Sequence, residues 1–245
     1  MNDVTSVFAY ALLTALATGL GAIPFFFVRT ISERFVAYSE AVAAGLMLGA
    51  SFGLVAEGTA YGSGETLLGG LFGVGFILAA QRILEDQDGQ ELVFEAARGD
   101  GAKRMLLMVV VMTVHSFAEG VAVGVSFGGG VTLGAVITIA IAIHNIPEGV
   151  AISAVLRPEG VPASRCALWS IFSSLPQPLM ALPAFLFVET FQAALPYGLG
   201  FAAGAMVFMV LVELLPEAYK HGERAQVATL ATVSAVGMVL FQQWL

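Results

Sequence analysis

Two histidines, each followed four residues later by a glutamate and then a glycine, lie near the midpoints of two apolar runs. They read His115-Ser116-Phe117-Ala118-Glu119-Gly120 and His144-Asn145-Ile146-Pro147-Glu148-Gly149. Residues at i and i+4 sit one turn apart on the same helix face, so an imidazole and a carboxylate in this spacing can converge on one point. Two such helices packed face to face supply two nitrogens and two carboxylates. That is a ligand set for zinc, iron or manganese, and it lacks the thiolates that favour Cu(I). His115, Glu119, His144 and Glu148 are therefore the candidate metal ligands, and Ser116 and Asn145 extend the polar patch on each face.

A blander reading lets each histidine bond its own glutamate and glue two helices together. The repeat of H-x-x-x-E-G-V-A at 115 and 144, in adjacent apolar runs at matching depth, argues against it. At the centre of a bilayer an ionisable side chain costs about 2.5–3.5 kcal/mol, so two such pairs need a compensating partner. Pro147 removes a backbone N–H and leaves the carbonyl of Ile143 without its usual donor; Pro176 and Pro178 do the same around Gln177. Broken turns of this kind are tolerated in membrane where they line a hydrated cavity or meet a neighbour. Glu213 lies inside another apolar run and is a candidate for the ion's route. Met47 and Ser51 sit on a glycine-rich run where packing is their ordinary role.

The elements that must position these residues follow from composition. Of 245 residues, 58% are hydrophobic and 11% charged, and the mean hydropathy is +0.88. A soluble domain has about 25% charged residues, so this chain cannot clothe a water-facing surface and takes the membrane as its solvent. A bilayer crossing needs about 20 apolar residues. Eight runs qualify, near 7–28, 35–55, 62–84, 105–127, 131–156, 167–188, 195–215 and 227–245. They form an all-α, single-domain membrane bundle over 1–245, with an acidic cytoplasmic loop at 85–104. The ten basic residues all fall in alternate connections: Arg29 and Arg34; Arg82, Arg98, Lys103 and Arg104; Arg157 and Arg165; Lys220 and Arg224. The positive-inside rule puts those connections in the cytoplasm and both termini outside. The first run lacks a basic leader and a cleavage site, so it is expected to be retained. The lone Cys166 excludes a disulfide framework, and nothing is basic enough for nucleic acid.

Ala43-Ala44-Gly45-Leu46-Met47 in the second run echoes Ala202-Ala203-Gly204-Ala205-Met206 in the seventh. The two are counterparts in a three-two-three inverted repeat, a common transporter signature.

HSFAEGVAVG, HNIPEGVAIS and FAAGAMVFMVLVELLPEA together resemble the ZIP (Zrt/Irt-like) metal transporters, in particular the compact GufA-like members, from Ala41 to Ala218. The resemblance implies eight helices in a 3+2+3 repeat and a metal site between the fourth and fifth. It also implies uptake toward the cytosol by alternating access of one helix bundle against another, and often a homodimer. His115, Glu119, His144 and Glu148 match the family's primary site. Ser116, Asn145 and Gln177 stand where many relatives carry asparagine, aspartate and glutamate that form a second metal position, so one strong site is expected here. The long histidine-rich loop of many eukaryotic relatives is missing.

The expected activity is transport of a divalent ion, zinc before iron, manganese or cadmium, across the plasma membrane, with the metal as substrate and no separate cofactor. The competing reading is an intramembrane zinc hydrolase. It is disfavoured because H-E-x-x-H is absent and only two histidines lie within apolar runs.

Overall fold

The computed structural model describes residues 4–86 and 101–244, so most of the connection expected at 85–104 lies outside the described residues. All the regular secondary structure among the described residues is helical. The helices are α1 (Val4–Leu20), α2 (Glu33–Tyr61), α3 (Ser63–Asp86), α4 (Gly101–Gly128), α5 (Val131–Leu156), α6 (Ala163–Thr190), α7 (Gln192–His221) and α8 (Arg224–Trp244). Among the described residues, six helices are long and apolar enough to cross a bilayer, while Val4–Leu20 is a shorter apolar helix.

The ends differ from the expected boundaries for local reasons. The first apolar run was expected to be helical over 7–28, but α1 stops at Leu20 and the chain turns into a short 3-10 segment, Ile23–Phe26. Pro24 cannot donate to a continuing helix and disfavours helical backbone before it. Ser32 caps α2: its hydroxyl accepts from the Phe35 amide at 3.2 Å, which starts the helix before the expected residue 35. One residue, Gly62, separates α2 from α3.

Two helices are interrupted where proline falls inside them. In α6 the pieces Ala163–Ser174 and Pro176–Thr190 meet at Leu175, whose amide reaches back only three residues to Phe172. In α7 the turn Val210–Leu214 is a π-helix, with the Leu215 amide bonded to the carbonyl of Val210. Pro216 follows; its ring would strike the carbonyl four residues earlier, and the widened turn accommodates it. By contrast, α5 runs unbroken through Pro147.

The helices pack as two groups of four. One comprises α1, α4, α5 and α6, each in contact with the others; in the second, α2 packs on α8, α7 and α3, and α3 on α7. The groups meet where α2 crosses α5 and α4 crosses α7. Met47, Ala118, Ala122, Ile141 and Met206 belong to the apolar core between them. Phe117 of α4 stacks on Phe76 of α3 at 5.0 Å between ring centres.

Candidate metal centre

The glycine that closes each H-x-x-x-E-G motif fixes where the site's helices cross. A methyl group on Gly149 would run into the carbonyl of Thr18 on α1, and one on Gly120 into the backbone of Gln177 on α6. Without a Cβ the backbones close up, the device by which membrane helices associate where lipid removes the hydrophobic drive. The two contacts carry α1 and the start of the second piece of α6 against the polar faces of α5 and α4.

The resulting cluster lies wholly inside the protein. His115, Ser116, Glu119, His144, Asn145, Glu148 and Gln177 are all buried. Glu119, His144 and Glu148 each offer a ligand atom within 4.8 Å of the others. Four-coordinate zinc with bonds of about 2.1 Å needs ligand atoms about 3.4 Å apart, so a small contraction brings this group onto one ion. His144 Nε2 already stands 2.8 Å from Glu119 Oε1.

His115 lies outside that group of three. Its Nδ1 is 3.1 Å from Glu213 Oε2 on the π-helical turn of α7, and Gln81 Nε2 of α3 donates to the other Glu213 oxygen at 2.7 Å. The sequence pattern placed four ligands at one point; Glu213 draws His115 toward the second group of helices. His115 Nε2 is left buried and unbonded.

Around Glu119 a second layer forms. The Gln177 amide nitrogen donates to Glu119 Oε2, and Asn145 Nδ2 donates to the Thr14 carbonyl at 2.9 Å and to Gln177 Oε1 at 3.2 Å. Thr18 and Ser174 share a hydroxyl contact of 2.8 Å. Ser51 turns inward on its own helix, bonding the Met47 carbonyl at 2.8 Å, and Met47 lies in the apolar core. Sequence reasoning missed Thr14, Thr18 and Gln81. The first two carried a signal, as hydroxyls four residues apart on an otherwise apolar helix; Gln81 lies near the end of the apolar run at 62–84 and carried none.

Among the described residues, six buried polar atoms on the two motifs have no hydrogen-bond partner within the protein. They are His115 Nε2, Ser116 Oγ, His144 Nδ1, Asn145 Oδ1 and both carboxylate oxygens of Glu148. An unmet buried polar group costs about 1–3 kcal/mol, and more when charged. Carboxylate, imidazole and amide oxygen together are the donor set of a borderline divalent cation.

Comparison with known proteins bears on the same residues. The family profile described as "ZIP Zinc transporter" matches residues 87–241. The zinc transporter GufA of Myxococcus xanthus is 32% identical over 89% of this chain and 91% of its own length. Zinc transporter ZIPB of Bordetella bronchiseptica is 35% identical over 92% of this chain and 76% of its own. An Arabidopsis thaliana protein named provisionally as a zinc transporter is 47% identical over 96% of this chain, which spans 38% of that relative's length.

Proposed function

The chain belongs to the ZIP zinc transporter family, and on that footing we propose that it carries a divalent transition-metal ion across a membrane toward the cytosol, zinc first among the candidates. The observation that carries this reading is the set of unpartnered polar atoms buried around Glu119, His144 and Glu148. In an apolar interior they are costly until a cation gathers them.

The protein is an integral membrane protein, and its metal is cargo. In our reading all eight helices cross the plasma membrane, α4 included, with both termini outside and a 3+2+3 repeat relating the halves. Glu119, His144 and Glu148 take the ion. His115 and Glu213 stand on the contact between the two helix groups and receive it next, with Ser116 and Asn145 lining the site. Sliding or rocking of α1, α4, α5 and α6 against α2, α3, α7 and α8 exposes the site to one side at a time, because the ligands belong to the first group alone. Gln177 is neutral, so one ion is held at a time. The reading as an intramembrane zinc hydrolase finds no support among the relatives, which are named as transporters.

Purified protein reconstituted into liposomes with a zinc-sensitive dye inside tests this. Zinc influx that follows the imposed gradient and is lost in Glu148→Gln supports transport. Binding without influx, or turnover of lipid or peptide without net ion movement, overturns it.

A further inference from the structure

Gln177, at the second position of the helical piece that begins at Pro176, grips Glu119 from the side away from His144. Its amide nitrogen donates to Glu119 Oε2, while Glu119 Oε1 faces His144 Nε2 at 2.8 Å. Gln177 Oε1 accepts from Asn145 Nδ2 at 3.2 Å and from Thr14 Oγ1 at 2.5 Å. The Thr14 hydroxyl also lies 2.7 Å from the Ala11 carbonyl, and the other Asn145 proton goes to the Thr14 carbonyl. All five side chains are buried.

An amide oxygen met by donors leaves only the NH2 to face the carboxylate, so the network fixes which way Gln177 points. The two carboxylates of the site then differ. One oxygen of Glu119 is taken by a charge-assisted hydrogen bond, whereas Glu148 keeps both oxygens without a partner in the protein.

We propose that Gln177 is a positioning residue that restricts Glu119 to a single metal-facing oxygen and leaves Glu148 as the carboxylate that adapts to the ion. Thr14 and Asn145 act through Gln177 by holding its carbonyl. This inference rests on the metal-carrying reading of the same site, and it names the residue that sets how the ion is held there.

The test uses the full chain in lipid nanodiscs with Co2+ as the probe, reading the dissociation constant, the number of ions per chain and the visible ligand-field spectrum. Gln177→Leu is expected to weaken binding about 10- to 100-fold, the usual cost of losing a partner that orients a ligand. Its visible bands should also lose intensity as Glu119 turns both oxygens to the metal and the coordination number rises. Thr14→Val should shift both readouts in the same direction, and Thr14→Ser, which keeps the hydroxyl, should restore them.

Wild-type affinity and spectrum in Gln177→Leu would overturn the proposal. If Gln177→Leu does not fold, identical behaviour of Thr14→Val and Thr14→Ser overturns it equally. Failure of the wild-type chain to bind any ion is a different result: it sinks the transport reading itself.

Discussion

Exchanging Glu148 for glutamine keeps the side chain's shape and removes one charge from a pair of buried carboxylates. The ligand atoms of Glu119, His144 and Glu148 lie within 4.8 Å of one another. At that widest separation two full negative charges repel by about 3.5 kcal/mol, from roughly 332/(20 × 4.8) with an effective dielectric of about 20. Because the ligand atoms stand no farther apart than that, the figure is a floor on the repulsion between two fully charged carboxylates when no cation is present. Glu148→Gln should therefore raise the midpoint of thermal unfolding in the metal-free protein. It should also weaken zinc binding by more than about 100-fold, since losing a mere orienting partner costs about 10- to 100-fold. One substitution thus moves two readouts in opposite directions. The assay is thermal unfolding of the solubilised protein with chelator and again with zinc. At zinc 100 times above the wild-type dissociation constant the wild type gains about 2.7 kcal/mol, and the variant should gain less than about 0.4 kcal/mol. A variant that melts lower without metal and keeps its zinc response would refute the reasoning.

Two further substitutions discriminate among the site's parts. His144→Ala should weaken zinc binding at least about tenfold more than His115→Ala, because His144 belongs to the convergent group while His115 is held by Glu213; isothermal titration of both would show equal losses if His115 were an equal ligand. Gly149→Ala should destabilise the protein by about 1–3 kcal/mol through overpacking against the Thr18 carbonyl, whereas Gly237→Ala, with open space around it, should be neutral or gain up to about 1 kcal/mol. Matching unfolding midpoints for the two alanine variants would contradict the close crossing of α1 and α5.

The apolar runs and the two H-x-x-x-E-G motifs were plain in the sequence because hydropathy and i, i+4 spacing are local properties. The family resemblance followed from the same residues and is matched by the relatives. What the chain alone could not display is which helix faces which. His115 was read with Glu119 because they share a helix face; its bond to Glu213 depends on a π-helical turn in α7 and on the crossing of α4 and α7, neither visible in spacing. Thr14 and Thr18 were overlooked for a related reason: hydroxyls in an apolar helix commonly bond their own backbone. The packing of α1 on α5 and α6, close at Gly149, brings Thr14 to Asn145 and Gln177. The break in α6 was hinted at by Pro176 and Pro178, but the role it gives Gln177 comes from the fold.

The transport reading requires a single divalent cation to be gathered by Glu119, His144 and Glu148 between α4 and α5. Anomalous scattering at the zinc edge from crystals of the zinc-loaded protein locates the metal without reference to any assumed role. One strong peak is expected among those three side chains, bound by nitrogen and oxygen alone. A main peak elsewhere in the bundle, or two full peaks bridged by Glu119 and Glu148, would contradict it.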